Sequence, residues 1–262
     1  MKTEDLKFIV KEKYGKIARE NLGDVKSSCC CSSSSCTDSE FISMIGDDYS
    51  KLDGYNPDAD MGLGCGIPTH FAGIKKGDSV LDLGSGAGND CFVARAAVGP
   101  DGHVTGLDFT EEMIEKANKN AAKLGLTNVD FVYGDIEDMP LPANSFDVVV
   151  SNCVLNLVPD KSKAFSEIFR VLKPGGHFCV SDVVIKGELT ESARKSAELY
   201  AGCVSGALKM PEYLSIIEKS GFANITIHKE RKIEMPEGIL TSENDNDGIF
   251  SITVSGYKFM WH

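Results

Sequence analysis

A glycine-rich turn, Gly84-Ser85-Gly86-Ala87-Gly88, directly follows an apolar segment and constrains the fold more than any other feature of the sequence. Glycines allow a tight turn that brings backbone N–H groups against a ligand. The apolar segment is the first of five strand candidates, at 79–83, 103–108, 129–133, 146–152 and 176–184. Helical candidates alternate with them near 89–97, 111–124 and 161–172. This alternation predicts an α/β fold, with parallel strands joined by right-handed helical crossovers.

The regions on either side of this alternating core differ from it. An amphipathic helix is predicted over residues 2–22, and a polar, low-complexity stretch at 27–36 follows it. Beyond the core, we expect two helices and two long strands, at about 190–206, 211–220, 224–235 and 249–259. The chain therefore divides into an N-terminal extension, a ligand-binding core and a C-terminal substrate-binding elaboration, at 1–69, 70–185 and 186–262.

Charge and cysteine content narrow the class of function. The net charge of -12 argues against nucleic acid and anionic membranes as partners. No apolar run approaches the ~18 residues that a membrane span needs, and the first residues carry no secretory signal, so a cytoplasmic protein is expected. The nine cysteines are an odd number, and disulfides are rare in reducing compartments. Several thiols should therefore be available for chemistry, although Cys91 and Cys179 lie in apolar segments and are interpreted as core residues.

Two carboxylates near the glycine turn narrow the kind of ligand that the turn could bind. Asp108 ends the second strand candidate roughly 20 residues after the turn, where a carboxylate can accept ribose hydroxyls. Asp82 precedes the turn, and it suits a cationic ligand better than a pyrophosphate.

This assembly resembles the class I methyltransferases that use S-adenosylmethionine. Further matches are Gly134-Asp135-Ile136-Glu137 and Leu172-Lys173-Pro174-Gly175-Gly176, and the resemblance covers about residues 70–185. It implies a Rossmann-like sheet of parallel strands plus one antiparallel strand, with S-adenosylmethionine as cofactor. The glycine turn would face the methionine and ribose, Asp108 the ribose, Asp135 and Ile136 the adenine, and Asn152 the methionine end. The implied cofactor-binding set is Asp82, Gly84, Ser85, Gly86, Gly88, Asp108, Asp135, Ile136 and Asn152.

A thiol, Cys153, stands just past the strand candidate 146–152, where ligands of open α/β sheets bind. Cys65 and Cys203 have glycine neighbours, which we expect to leave both sulfurs accessible. No His, Asp or Glu occurs between Cys153 and Asp160 to take a proton from an acceptor. The site therefore favours a soft acceptor whose lone pair needs no deprotonation.

With these cysteines in place, the chain resembles the arsenite methyltransferase family over about residues 55–220. The matching segments are Gly64-Cys65-Gly66-Ile67-Pro68, Ser151-Asn152-Cys153-Val154-Leu155-Asn156-Leu157, Gly202-Cys203-Val204 and Gly206-Ala207. The resemblance implies that Cys65, Cys153 and Cys203 hold trivalent arsenic as thiolates. A fourth cysteine would assist, either Cys36 or one of Cys29, Cys30 and Cys31. It also implies methylation of arsenite and methylarsenite for detoxification, by a monomer with a small-molecule substrate. The co-substrate would be a thiol reductant of the glutathione or thioredoxin type, with thioredoxin as a possible protein partner.

Two other functions are compatible with the same sequence. A small-molecule methyltransferase acting on carbon, of the quinone or sterol type, would use the cysteines only for packing. A non-enzymatic thiol protein could hold a metal or metalloid through Cys29, Cys30, Cys31 and Cys36. Structural zinc sites, however, usually space their cysteines as C-x₂₋₄-C pairs, which a run of three adjacent cysteines does not provide.

Overall fold

The computed structural model of the chain describes residues 3–20, 47–195, 204, 206–234, 238–241, 244 and 246–259. Its centre is a seven-stranded sheet in the order β3-β2-β1-β4-β5-β7-β6. The strands are β1 Ser79–Leu83, β2 His103–Asp108, β3 Val129–Tyr133, β4 Phe146–Asn152, β5 Leu172–Lys186, β6 Ala223–Ile233 and β7 Gly248–Tyr257.

Strands β1 to β5 run parallel to one another, and β7 is antiparallel to both of its neighbours, β5 and β6. The predicted α/β sheet with one antiparallel strand is therefore confirmed. The first four strands begin and end where the sequence placed them. The fifth begins earlier, at Leu172, because Leu172 already pairs with Phe146 of β4, and an irregularity separates this pair from the next one, Val148 with His177.

Helices cover both faces of the sheet. In chain order they are α1 Thr3–Glu20, α2 Pro68–Phe71, α3 Asn89–Val98, α4 Glu111–Lys123, α5 Lys161–Val171, α6 Glu191–Lys195 and α7 Met210–Lys219. The helix predicted at 190–206 lies partly outside the described residues. Among the described helices, none combines the length and apolar character that crossing a membrane requires.

The β1 sequence shows why two layers of helices form. Four of its five residues are buried, and successive side chains of a strand point to opposite faces. Val80 packs in the cluster that contains Phe92 of α3. Leu81 packs on the other face, with Phe165 of α5. A strand that is apolar on both sides is typical of a parallel sheet buried between helices.

Candidate functional site

A cavity opens beyond the carboxyl ends of β1, β2 and β4. Most of the predicted cofactor residues line it, as does the thiol-bearing Cys153: Asp82, Gly84, Ser85, Gly86, Asp108, Asp135, Ile136, Asn152 and Cys153. Gly88 is not among the lining residues. It begins α3 with a φ of 98°, where a Cβ atom would lie 2.8 Å from Cζ of Phe92. Gly88 therefore allows close helix packing, whereas the prediction gave it a place facing the ligand.

Three buried carboxylates border the cavity. Burial and the nearby charge of Asp90 raise the pKa of Asp82 well above its ordinary value. Burial raises the pKa of Asp90 to about 6, although Asn152 and Tyr49 donate hydrogen bonds to it. Burial also raises the pKa of Asp108, whose oxygens accept from the backbone N–H groups of Gly86 at 3.0 Å and Thr110 at 2.8 Å. Concentrated acidic groups of this kind favour a cationic ligand.

Unsatisfied polar atoms mark the same cavity as a ligand site. The side-chain oxygens Ser85 Oγ and Asn89 Oδ1 are buried and have no hydrogen-bond partner among the residues that the structure describes. Buried polar atoms without partners are rare in folded proteins and call for a ligand or water. Gly86 has a φ of 52° with no heavy atom within 4 Å of the Cβ position, so its backbone faces open space. These residues fit a cationic nucleoside such as S-adenosylmethionine.

The glycine turn contacts the segment after β4 directly. Gly84 has a φ of 67°, and a Cβ atom there would lie 2.2 Å from Cγ2 of Val154. A distance this short admits no side chain at position 84. The ligand-binding turn and the residue after Cys153 are therefore in close contact.

Cys153 has a left-handed backbone, with a φ of 59°, which a non-glycine residue rarely adopts. Its N–H donates to the carbonyl of Ser181 at 2.8 Å, which holds it at the end of β4. The side chain is 4% exposed. Backbone strain of this kind persists only where the surrounding structure enforces it, and it is often found at functional sites.

Cys65 packs in the same apolar cluster as Cys153. The expectation that its flanking glycines expose the sulfur is wrong, because the side chain is only 1% exposed. Cys203 lies outside the described residues, but the next residue, Val204, belongs to the same cluster. The candidates for a fourth cysteine, Cys36 and Cys29 to Cys31, also lie outside the described residues. The prediction that Cys91 and Cys179 are core residues is confirmed, since both are fully buried.

The loop that carries Cys65 is pressed against Asn152. The side-chain oxygen of Asn152 accepts from the N–H groups of Cys65 at 3.0 Å and Gly66 at 3.3 Å. A Cβ atom on Gly64 would lie 2.5 Å from Asn152 Nδ2, and one on Gly66 would lie 2.5 Å from Ser181 Oγ. The glycines are therefore required for close approach of the backbone to its neighbours.

The last two strands hold the other side of this loop. The hydroxyl of Ser251 on β7 donates to the Cys65 carbonyl at 2.5 Å, and Arg231 on β6 donates to it at 3.5 Å. Asp47 pairs with Arg231 and with Lys229, which joins the segment ahead of the loop to the same strand. The C-terminal strand pair thus supports the backbone of Cys65, which is predicted to bind the substrate.

Sequence reasoning missed Tyr49 and Asp90. The hydroxyl of Tyr49 lies 3.0 Å from the Gly66 carbonyl oxygen and 2.9 Å from Asp90 Oδ1. The Asn152 amide donates to both residues, at 2.7 Å to Tyr49 and 3.1 Å to Asp90 Oδ2. Asp90 could have been suspected from the sequence, because it lies two positions after the glycine turn. No sequence feature indicated a role for Tyr49.

Helix α1 closes one side of the cavity, which the sequence also did not reveal. Lys7, Val10 and Tyr14 lie on its inner face and line the cavity. The Lys7 ammonium pairs with Asp135 at 2.5 Å and with Glu137. A residue predicted to contact adenine is therefore also the docking point of the N-terminal helix.

Comparison with known proteins identifies a domain that includes the glycine turn, Asp108 and Cys153 of this site. Residues 74–221 match the family described as Methyltransferase domain. An arsenite methyltransferase from Halobacterium salinarum is 40% identical over 254 residues, which cover 93% of this chain and 63% of the relative. An arsenite methyltransferase from Aquipseudomonas alcaligenes is 34% identical over 258 residues, which cover 95% of this chain and 71% of the relative. The chain thus spans about two thirds of the length of these relatives.

A solved structure is similar over much of the same region. It is an arsenic (III) S-adenosylmethionine methyltransferase from Chlamydomonas reinhardtii, with a TM-score of 0.63 and 37% sequence identity. The match covers 72% of this chain and 65% of that protein.

Proposed function

This chain belongs to the arsenite methyltransferase family, and from that premise we propose that it transfers a methyl group from S-adenosylmethionine to trivalent arsenic. Its substrates would be arsenite and methylarsenite, and its role arsenic detoxification. The observation that carries the proposal is that Cys65 and Cys153 pack in one cluster, while Cys153 also lines the cavity beside the glycine turn.

The residues proposed to hold the cofactor are cavity residues whose charge or hydrogen-bonding groups suit one part of S-adenosylmethionine. Asp82 and Asp90 would balance its positive charge, and Asp108 would accept ribose hydroxyls. Ser85 and the backbone of Gly86 would face the polar part of the ligand, with Asp135 and Ile136 at the adenine. When bound, S-adenosylmethionine supplies an electrophilic methyl group on a sulfonium. Helix α1 lines one side of this cavity and would limit the access of water, which would strengthen electrostatic interactions inside.

The proposed arsenic ligands are Cys65, Cys153 and Cys203. Soft thiolates select soft acceptors, and trivalent arsenic bonds sulfur strongly. A trigonal arrangement of three sulfurs leaves the arsenic lone pair free to be aimed at the donor. The main contribution of the protein would then be positioning, which is worth up to ~7–11 kcal/mol in favourable cases.

Further parts of the proposal concern the co-substrate and the surroundings of the protein. Arsenic gives up its lone pair to the methyl group, so we propose a thiol reductant of the glutathione or thioredoxin type to return it to the trivalent state. A fourth cysteine, Cys36 or one of Cys29 to Cys31, would assist. We also propose a monomer that acts in the cytoplasm, with thioredoxin as a possible partner.

The decisive experiment is incubation of the protein with arsenite, S-adenosylmethionine and glutathione, followed by separation and quantification of methylated arsenic. Wild-type protein is expected to form product, and Cys153→Ser is expected to fall to the level of a protein-free control. Cys179→Ser is the matched control, because burial raises the pKa of the Cys179 thiol to about 12 and makes it inert. This variant is expected to retain turnover.

Two results would contradict the proposal. Absence of methylated arsenic with wild-type protein would reject arsenic as substrate. Full turnover by Cys153→Ser would show that the thiol only fills space, as expected for a methyltransferase acting on carbon.

A further inference from the structure

We propose that Tyr49 and Asp90 are positioning residues that orient Asn152, which in turn fixes the two sulfurs Cys65 and Cys153 relative to each other. The inference rests on the proposed function, because the spacing of these sulfurs matters only if they hold arsenic together. Neither residue was among the arsenic ligands or cofactor residues expected from the sequence, although Asp90 borders the cavity and is also proposed above to balance the charge of the cofactor.

The amide of Asn152 has one orientation that satisfies its surroundings. Its oxygen faces two N–H donors, those of Cys65 and Gly66. Its nitrogen faces three acceptors, the Gly66 carbonyl at 2.8 Å, the Tyr49 hydroxyl at 2.7 Å and an Asp90 oxygen at 3.1 Å. A reversed amide would set oxygen against oxygen and N–H against N–H. Tyr49 and Asp90 therefore select the orientation that holds the loop.

Asn152 connects the two thiols in a direct way. It is the residue before Cys153 in the chain, and its side chain binds the backbone N–H of Cys65. A rotation of this amide would loosen the side of the Cys65 loop that faces it, while Ser251 and Arg231 still hold the Cys65 carbonyl and Cys153 stays in place. The distance between the two sulfurs consequently depends on the hydrogen bonds that fix Asn152.

Tyr49 contributes through its hydroxyl group. The buried hydroxyl can accept an N–H from Asn152 and donate its proton either to the Gly66 carbonyl or to the Asp90 carboxylate. Removing it takes a partner from the Asn152 amide and from the Asp90 carboxylate, and an unsatisfied buried group is costly. The Tyr49 ring would remain in Tyr49→Phe, so the packing is preserved.

Asp90 anchors the network to the rigid part of the fold. It lies in the first turn of α3, which packs against β1 and β2, and it also borders the cavity. Through Asp90, the position of the Cys65 loop is therefore fixed relative to α3, the helix that follows the glycine turn. The aspartate carboxylate accepts from Tyr49 through either oxygen and from Asn152 through Oδ2, and in Asp90→Asn an N–H₂ group would replace one of these two acceptor oxygens.

The test measures exposure of individual thiols by alkylation with iodoacetamide and mass spectrometry of the digest. In Tyr49→Phe and Asp90→Asn, we expect Cys65 to be labelled several-fold faster, because its loop is released. Cys179, buried in β5, serves as the internal standard for global loosening and should keep its wild-type rate. Arsenite affinity, measured by calorimetry, should weaken roughly five- to tenfold, as expected for the loss of one hydrogen bond. Tyr257→Phe, at an exposed site on β7, is the control and should match the wild type.

Two outcomes overturn the inference. An equal rise in labelling of Cys65 and Cys179 would show that Tyr49 and Asp90 support stability in general. Unchanged labelling and arsenite affinity would show that Asn152 is held without them. Either outcome leaves the proposed function intact if wild-type protein methylates arsenite. Failure of the wild type itself to bind arsenite would instead reject the function.

Discussion

At the scale of single residues, Asp182 on β5 is a buried carboxyl group whose charge state depends strongly on its surroundings. It is 0% exposed, and the Tyr213 hydroxyl donates to it at 3.1 Å. Burial raises its pKa from 3.8 to about 7, although the positive charge of Lys161 opposes this shift. The protonated form is therefore favoured by folding, and the ionised form is penalised.

This shift predicts the sign of a pH effect on stability. Because the folded pKa lies above the unfolded one, Asp182 stabilises the fold at low pH, and that stability is lost as the pH rises from about 4 to about 7. Between pH 5 and pH 8, wild-type protein should lose roughly 3 kcal/mol more unfolding free energy than Asp182→Asn. Urea denaturation of both proteins at the two pH values measures the difference. Asp101→Asn, at an exposed site in the turn before β2, should follow the wild type, and parallel losses in all three proteins would contradict the prediction.

Residue identities near a motif could be predicted, whereas partners distant in sequence could not. Asp108 and Cys153 were found because Asp108 ends one recognisable strand candidate and Cys153 directly follows another. Tyr49 lies 103 residues before Asn152, and only the folded chain brings its hydroxyl to the amide. The burial of Cys65 was also beyond reach, since two glycines beside a cysteine fit an exposed loop and a tightly packed one equally well.

At the scale of elements, α1 acts as a wall of the proposed cofactor site. The helical spacing of its apolar residues was visible in the sequence. The place where the helix docks, however, depends on an ion pair. Lys7 meets Asp135 and the largely buried Glu137 across the cavity rim. A partly exposed ion pair of this kind is worth about 1 kcal/mol or less.

Substitution of Lys7 should therefore weaken cofactor binding moderately. Lys7→Gln is expected to raise the Kd for S-adenosylmethionine by roughly two- to fivefold, because α1 docks less firmly. High salt should weaken binding by wild-type protein and have less effect on the variant. Calorimetry at low and high ionic strength measures both quantities, with Lys119→Gln on the exposed face of α4 as the control. An identical salt dependence of Lys7→Gln and wild type would exclude the ion pair as the cause.

At the scale of the whole molecule, the last strands complete the central sheet. β7 pairs with β5 from Lys186↔Gly248 to His177↔Tyr257, and β6 then pairs with β7. The alternation of strands and helices in the core could be predicted from the spacing of apolar residues in the sequence. The insertion of the last strand between β5 and β6 was not, because antiparallel pairing leaves no mark on local periodicity.

The pairing of β7 with β5 predicts that region 186–262 unfolds together with the core, although this region was predicted from the sequence as a separate part of the chain. Thermal unfolding followed by circular dichroism and by hydrogen exchange should give one transition, with amides of β7 and β1 protected to a similar degree. Exchange of β7 well before β1 would contradict this. Two resolved transitions would instead identify an independent C-terminal unit.

The contact between Gly84 and Val154 has a consequence for how this family can diversify. Gly84 has only 2.2 Å between its Cβ position and Cγ2 of Val154, and its φ of 67° disfavours any side chain even where space is available. Any lineage that gained a side chain at position 84 would need both a smaller residue at 154 and a different backbone conformation in the turn. Position 84 should therefore remain glycine among homologues, and a library randomised at both positions should yield functional proteins with glycine at 84.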